Sequence, residues 1–168
     1  MFEMRQLSCT KLQNILANAI ISISYFYIGV IMIVGRKIGD VLRGPEPHMA
    51  FAVNTEGFND AGLAGSISAR FWPELASTGP QRLGTVLTKM TDSKVLHALV
   101  VHSLTDGWGD APQHIEACFN ALEVPTDEEI ASVAMGAGMI GMMSGASPEQ
   151  NLAAMERSTK SIVVYDLG

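Results

Sequence analysis

The sequence predicts a three-layer α/β domain, in which a mixed and mostly parallel sheet carries helices on both faces. From residue 32 onward, short apolar runs typical of buried strands alternate with segments of helical periodicity. Several of these runs end in polar or glycine-rich turns. At 168 residues the chain is long enough for one such domain and short for two. We therefore assign residues 32–168 to one domain and residues 1–31 to an apolar N-terminal extension.

The predicted strands are short runs of apolar residues. The run at 48–54 is nearly continuous in apolar character, as strands of a buried parallel sheet are. Two further runs flank the turn residues Asp92 and Ser93, which favours a hairpin or a neighbouring pair. The full set of predicted strands is 33–38, 48–54, 83–88, 95–102, 130–135 and 161–165.

Three helices are predicted between the strands. Apolar residues at helical spacing follow the glycine turn at Gly62 and stop before Pro73. A second helix begins at Pro112 and has the clearest apolar stripe in the chain. A third starts with a capping-box pattern at residues 147–150 and runs through Arg157. The stripes consist of Leu63, Ile67 and Phe71 in the first helix and of Ile115, Cys118, Phe119 and Leu122 in the second.

Composition and charge exclude several classes of function. The formal net charge is -6 with only 11 Lys and Arg residues, which argues against direct nucleic-acid binding because that binding depends on clustered positive charge. Cys9 and Cys118 are far apart, and neither cysteines nor histidines show a metal-ligand pattern. We therefore predict no metal, no cofactor and a cytoplasmic location.

The N-terminal segment carries the apolar excess of the chain. Residues 15–34 contain no formal charge and have about the length of a membrane span. Their last residues are also needed for the predicted strand at 33–38, which would leave no linker after a span. Three interpretations stay open: an upstream extension from a misplaced start codon, which we favour, a membrane anchor formed by residues 12–31, or an extra element packed on the domain.

The turns that follow the predicted strands are the places to search for a ligand, because open α/β sheets bind ligands outside the carboxyl ends of their strands. These turns are Gly39-Asp40, the glycine-containing segment 54–62 and the glycine-rich segment 136–141. Glycine allows backbone N–H groups to approach an anion closely and bind it without positive side chains. The helix that begins after Gly62 would add its N-terminal amides to the same site. The sequence therefore predicts that segment 136–141 cradles a phosphate-bearing ligand.

Taken in order, these turns resemble those of the macro domain, a module that binds ADP-ribose and related nucleotides, over residues 32–168. The matching elements are Gly39-Asp40 after the first strand, Val53-Asn54 at the end of the second, the helix start at 62–67 and the loop at 136–141. Trp108, ahead of the second helix, is similar to a tryptophan in the macro branch that contains DNA ADP-ribose hydrolases.

The resemblance implies a binding role for each of these turns. Asp40 would hydrogen-bond the adenine amino group, Asn54 would face the distal ribose, and the loop amides would hold the diphosphate. The implied partner is ADP-ribose or an ADP-ribosylated macromolecule. The predicted ligand-binding residues are Asp40, Val41, Asn54, Gly62, Leu63, Gly65, Ser66, Gly136, Ala137, Gly138, Met139 and Ile140.

The chain departs from the family where hydrolytic members carry their catalytic groups. Gly57 and Ala64 take the places of a second asparagine and of an aspartate, Ala61 stands where other branches place a lysine, and Ile140 replaces an aromatic residue near the distal ribose. The resemblance therefore implies a binding apparatus that is kept and a hydrolytic apparatus that is largely lost.

Two other functions stay open at this point. One is an enzyme that removes ADP-ribose, a phosphate or an acyl group from an ADP-ribose derivative with residues outside the usual set. Glu56 and Asp60 would be the candidates to orient a water, although a turn-forming role for Asp60 is the stronger interpretation. The other is a degenerate interaction domain that binds no nucleotide. The catalytic residues, if any, are unknown from the sequence.

Overall fold

The computed structural model describes residues 33–136 and 145–166. They belong to the second of the two units into which the chain divides, Met32–Gly168. The predictions for residues 1–31 and for residues 137–141 of the glycine-rich loop lie outside these ranges. Among the described residues, no helix is long and apolar enough to cross a membrane.

The described part of the chain contains a six-stranded mixed sheet. Its strands are β1 (Ile33–Ile38), β2 (His48–Asn54), β3 (Val86–Met90), β4 (Val95–His102), β5 (Ile130–Val133) and β6 (Ile162–Asp166). The order across the sheet is β1-β6-β5-β2-β4-β3. All neighbouring pairs are parallel except β3 and β4, which are antiparallel around the predicted turn. The predicted mixed, mostly parallel sheet is confirmed.

Three of the six strands differ from the predicted bounds: β3 and β5 for local reasons, and β6 by one residue at each end. The third strand begins at Val86 rather than at residue 83, because Gly84 has a positive φ of 80° and lies in a turn closed by the bond from Thr85 N–H to Arg82 C=O. The strand predicted at 130–135 ends at Val133, because the chain turns at Met135.

Helices cover both faces of the sheet, as predicted. They are α1 (Gly62–Arg70), α2 (Ala111–Ala121) and α3 (Pro148–Glu156), and two short 3-10 helices span Val41–Arg43 and Pro73–Ser77. The predicted capping box at the start of α3 is present: Ser147 Oγ accepts from Gln150 N–H at 3.2 Å, and Ser147 N–H donates to Gln150 Oε1 at 2.8 Å.

A separate apolar core fills the space on each side of the sheet. On one side α2 and α3 bury Phe119 and Met155 completely, and on the other side α1 buries Ile67 against Phe51. Because successive side chains of a strand point to opposite faces, a strand covered on both sides is apolar at almost every position. β4 shows this pattern: Leu96, Ala98 and Val100 belong to one core, and Leu99 and Val101 belong to the other.

The loop after β2 is fixed against the segment that follows α1. Gly57 has φ +77°, and a Cβ at this position would overlap the backbone carbonyl of Gly79. Nearby, Gln81 N–H donates to Thr55 C=O at 2.6 Å. The conformation of this loop therefore depends on a contact between two backbones that admits no side chain.

We predict that Gly57→Ala destabilises the domain far more than Gly62→Ala does. Both positions have positive φ, but a Cβ at Gly62 would meet no atom within 4 Å. Gly62→Ala should therefore cost only the roughly 1–2 kcal/mol of the left-handed conformation, whereas Gly57→Ala should cost at least about 2 kcal/mol more, because a backbone must move. Urea denaturation of the wild type and of both variants measures the free energies of unfolding. Equal losses of stability in the two variants would contradict the prediction.

Candidate functional site

The predicted strand-end turns lie on one edge of the sheet. β1, β6, β5 and β2 are parallel neighbours, so the turns after β1, β2 and β5 emerge at the same edge. Strands are spaced roughly 4.8 Å apart, so Asp40 after β1 and Asn54 at the end of β2 are separated by three strand spacings, or about 14 Å. Gly136 follows β5, between them. The edge therefore has the length of an extended nucleotide.

Asp40 is an exposed carboxylate at one end of this edge. It caps the 3-10 helix Val41–Arg43, since its Oδ1 accepts from Leu42 N–H at 3.0 Å. Its Oδ2 lies 3.5 Å from Arg43 Nε. Val41 is buried beneath the turn. The cap fixes the direction of the carboxylate and leaves it open to solvent.

A buried ionic cluster anchors the segment that leads from Asp40 back to β2. Glu46 is almost fully buried and accepts from Tyr165 Oη at 2.9 Å and from Lys37 Nζ at 2.5 Å. Burial opposes its ionisation, but the bonds from Lys37 and Tyr165 outweigh this and lower the pKa of Glu46. A side chain at Gly44 would overlap Glu46 and Tyr165. Lys94 Nζ donates to the Gly44 carbonyl at 2.9 Å. The cluster was not predicted, because its members are distant in the sequence.

Asn54 is buried and closes the loop that follows β2. Its Nδ2 donates to Phe58 C=O at 2.7 Å, and its Oδ1 accepts from Phe58 N–H at 3.1 Å. These bonds use one donor and one lone pair of an amide that has two of each. The predicted contact with a distal ribose stays a prediction, and the structure assigns Asn54 a role in shaping the loop.

Glu56 is held by the turn that follows β4. Ser103 Oγ donates to Glu56 Oε1 at 2.7 Å, and Leu104 N–H donates to Oε2 at 3.0 Å. Burial alone would raise the pKa of Glu56, but these hydrogen bonds outweigh it and lower the pKa to about 2. A general base works best with a pKa near the operating pH. Glu56 is therefore a poor base and a permanent negative charge.

Among the described residues, no side chain caps the backbone donors at the start of α1. Its N-cap residue, Ala61, makes no side-chain capping bond, so the first-turn N–H groups lack the usual partner. A side chain at Gly65 would overlap the carbonyl of Asp60, and Ser66 Oγ donates to Gly62 C=O at 3.1 Å. Gly65 and Ser66 thus also have structural roles, while Leu63 is half-buried.

Trp108 and Asn151 hold the described ends of the glycine-rich loop. Asn151 Nδ2 donates to Met135 C=O at 3.1 Å. Gly136 has φ +75°, and a Cβ there would lie 2.5 Å from Asn151 Nδ2 and 3.3 Å from the Trp108 ring. Where the description resumes at residue 145, Ala146 N–H donates to Trp108 C=O at 3.4 Å. Sequence reasoning noted Trp108 only through the resemblance and missed Asn151.

The imidazole of His102 stacks on Trp108, with ring centroids 4.1 Å apart and planes 9° apart. Burial lowers the pKa of His102 to about 4, although the nearby charge of Glu56 opposes the shift. The ring is therefore neutral at pH 7 and packs as an apolar surface behind the site.

Comparisons with known proteins identify the fold. No protein-family model matches the chain. Polyprotein P1234 of Barmah Forest virus is 25% identical over 157 residues, which cover 89% of this chain and about 6% of the polyprotein's length. The macrodomain of Mycobacterium tuberculosis DarG has a TM-score of 0.58 at 17% identity and covers 80% of this chain and 100% of its own. The chain has the macrodomain fold.

A second macrodomain agrees with this assignment. The Trypanosoma brucei macrodomain, solved in complex with ADP-ribose, has a TM-score of 0.57 at 13% identity, over 83% of this chain and 65% of its own. The predicted three-layer macrodomain fold is thus confirmed. The resemblance to the branch of DNA ADP-ribose hydrolases stays a prediction.

We predict that Glu56 stabilises the domain in a pH-dependent way. Its folded pKa of about 2 is below the ordinary value of 4.5, so its stabilisation is complete above pH 4.5 and is lost as the pH falls toward 2. Glu56→Gln should therefore be less stable than the wild type at pH 7, and the difference should shrink at pH 3. Urea denaturation at both pH values measures it. Glu123→Gln, at an exposed position, is the control, and a difference that does not change with pH would contradict the prediction.

Proposed function

We propose that this domain binds ADP-ribose, free or attached to a macromolecule, along the edge formed by the carboxyl ends of β1, β5 and β2. The observation that carries the proposal is the uncapped start of α1 on the loop after β2. An uncapped helix start offers free N–H groups and a partial positive charge, and both favour a phosphate. The Trypanosoma brucei macrodomain bound to ADP-ribose is a structural neighbour with the same fold.

The adenine end of the ligand is assigned to Asp40. Its carboxylate is exposed and held in one direction by the bond from Leu42 N–H. A carboxylate only accepts hydrogen bonds, so it favours a base with an exocyclic amino group over one with a carbonyl oxygen at that position. Val41 would contribute its backbone beside the base.

The diphosphate is assigned to backbone amides rather than to cationic side chains. The first-turn amides around Gly62 and Leu63 would bind it from one side, together with Gly65 and Ser66. The loop from Gly136 through Ala137, Gly138, Met139 and Ile140 would bind it from the other side, as its sequence predicts. Binding through amides suits a protein with a net charge of -6. Asn54 would then lie at the distal ribose, with the donor and lone pair that Phe58 leaves free.

The same geometry favours binding over hydrolysis. Glu56 is too acidic for a general base and has both oxygens bound by the turn after β4. Gly57, Ala61 and Ala64 supply no side chain that can activate a water. We therefore propose a binding module. With Cys118 buried as a free thiol, the domain suits the reducing cytoplasm.

Asp40→Ser tests the adenine assignment. Serine also caps a helix start, so the turn should keep its shape while the carboxylate is lost. The wild type should bind ADP-ribose at least about tenfold more tightly than inosine diphosphate ribose, because a hydrogen bond to a charged group contributes roughly 1.5–3 kcal/mol. In Asp40→Ser this preference should disappear, while binding to both ligands remains measurable by calorimetry.

Two results would contradict the proposal. If the folded wild type gives no heat with millimolar ADP-ribose, the domain is not an ADP-ribose binder. If Asp40→Ser keeps the full preference for adenine, the ligand is bound in another direction. Asp166→Ser, which removes another half-exposed carboxylate from the end of β6, is the matched control and should keep the preference.

A further inference from the structure

An open cavity of about 530 Å³ lies beside the loop that follows β2. Residues 55–58 form one wall, and residues from Ser77 to Gln81 form the other. The contact between Gly57 and Gly79 joins the walls, so the cavity is a fixed feature of the backbone. Its volume is in the range of roughly 300–1,000 Å³ that is typical of ligand sites. Glu56 supplies the charge of its lining.

The turn that follows β4 lies next to this cavity, because Ser103 and Leu104 both donate hydrogen bonds to Glu56, a residue of the cavity lining. Ser103 Oγ also accepts from the N–H groups of Thr105 and Asp106, which fixes this turn. Large apolar side chains are exposed on both loops: Phe58 is 67% exposed and Leu104 is 51% exposed. We call the cavity together with Glu56, Phe58, Leu104 and Asp106 the acidic surface.

The charge of the acidic surface has one sign. The loops at 54–62 and 103–111 carry Glu56, Asp60, Asp106 and Asp110 and contain no lysine or arginine. The low pKa of Glu56, about 2, keeps it ionised at any physiological pH. Among the described residues, these acids form no ion pair. Exposed apolar side chains beside such acids match a partner that carries cationic and apolar side chains. A polyanion such as DNA would be repelled by the same surface.

The order of the strands places the acidic surface next to the distal end of the nucleotide site. β4 neighbours β2 on the side away from β5 and β1. If adenine lies at β1 and the distal ribose at β2, a macromolecule joined to that ribose leaves the site toward β4. Its chain then passes over Phe58 and Leu104.

We propose that the acidic surface binds a basic segment of the protein that carries the ADP-ribose, with an arginine side chain in the cavity beside Glu56 and Phe58. This inference rests on the proposed function for the direction of the ligand. Arginine fits because its planar guanidinium stacks on an aromatic ring and pairs with a carboxylate. The apolar neighbours of that arginine contact Leu104.

The probe is an unmodified peptide, acetyl-Gly-Arg-Leu-Arg-Gly-amide, titrated into the full ¹⁵N-labelled chain. Saturable shifts are expected at the amides of Phe58, Leu104 and Asp106, and they should weaken as salt is raised. The same peptide with citrulline, which keeps the shape of arginine without its charge, should bind at least about fivefold more weakly.

A charge-reversed pair of variants localises the effect. Asp106→Lys should weaken peptide binding by about fivefold, while the affinity for free ADP-ribose stays within about twofold, because Asp106 is not among the predicted nucleotide contacts. Asp92→Lys makes the same charge change at an exposed residue of the β3–β4 turn, on the opposite edge of the sheet. It should leave both affinities unchanged.

Four results would overturn the inference: no peptide shifts at millimolar concentration, equal binding of the citrulline peptide, equal effects of the two lysine variants, or the same shifts with single-stranded DNA. Its failure is separable from that of the proposed function. Binding of free ADP-ribose without peptide shifts refutes only the acidic surface, whereas peptide shifts without ADP-ribose binding refute the nucleotide site and leave a surface that binds basic peptides without the ADP-ribose link.

Discussion

The parallel register of β1, β6, β5 and β2 is the constraint on which the rest of the structure depends. Because these strands run in one direction, their carboxyl ends meet at one edge of the sheet. All residues proposed to contact the ligand lie in the turns along that edge. The two apolar cores hold the register, since a shift by one residue would exchange the side chains of the two faces. The packing that buries both faces of the sheet therefore also sets the positions of the turns that form the site.

The site is built from backbone more than from side chains. The uncapped start of α1, the contact of Gly57 with Gly79 and the anchoring of Gly136 on Trp108 all set the positions of peptide groups. An acidic protein gains a way to hold an anion without lysine or arginine. The charged residues position the loops: Glu46 fixes the segment between β1 and β2, and Glu56 joins the loops after β2 and β4.

Local pattern predicted much of this fold, and tertiary contact decided the rest. The apolar run of β2 and the capping box of α3 are sequence-local, and both were predicted correctly. The hydrogen bonds from Asn151 to Met135 and from Ser103 to Glu56 join residues far apart in the chain. No local spacing of residues in the sequence indicated them. The strand predicted from residue 83 begins only at Val86, because the positive φ of Gly84 depends on the turn around it.

The most direct measurement adds the ligand in pieces and follows backbone amides by ¹⁵N NMR. AMP should shift Asp40 and Val41 first, ADP should add Gly62 and Leu63, and ADP-ribose should add Asn54, because the ligand follows the strand order from β1 to β2. Shifts at Asn54 with AMP alone, or no shifts with ADP-ribose at millimolar concentration, would contradict the account.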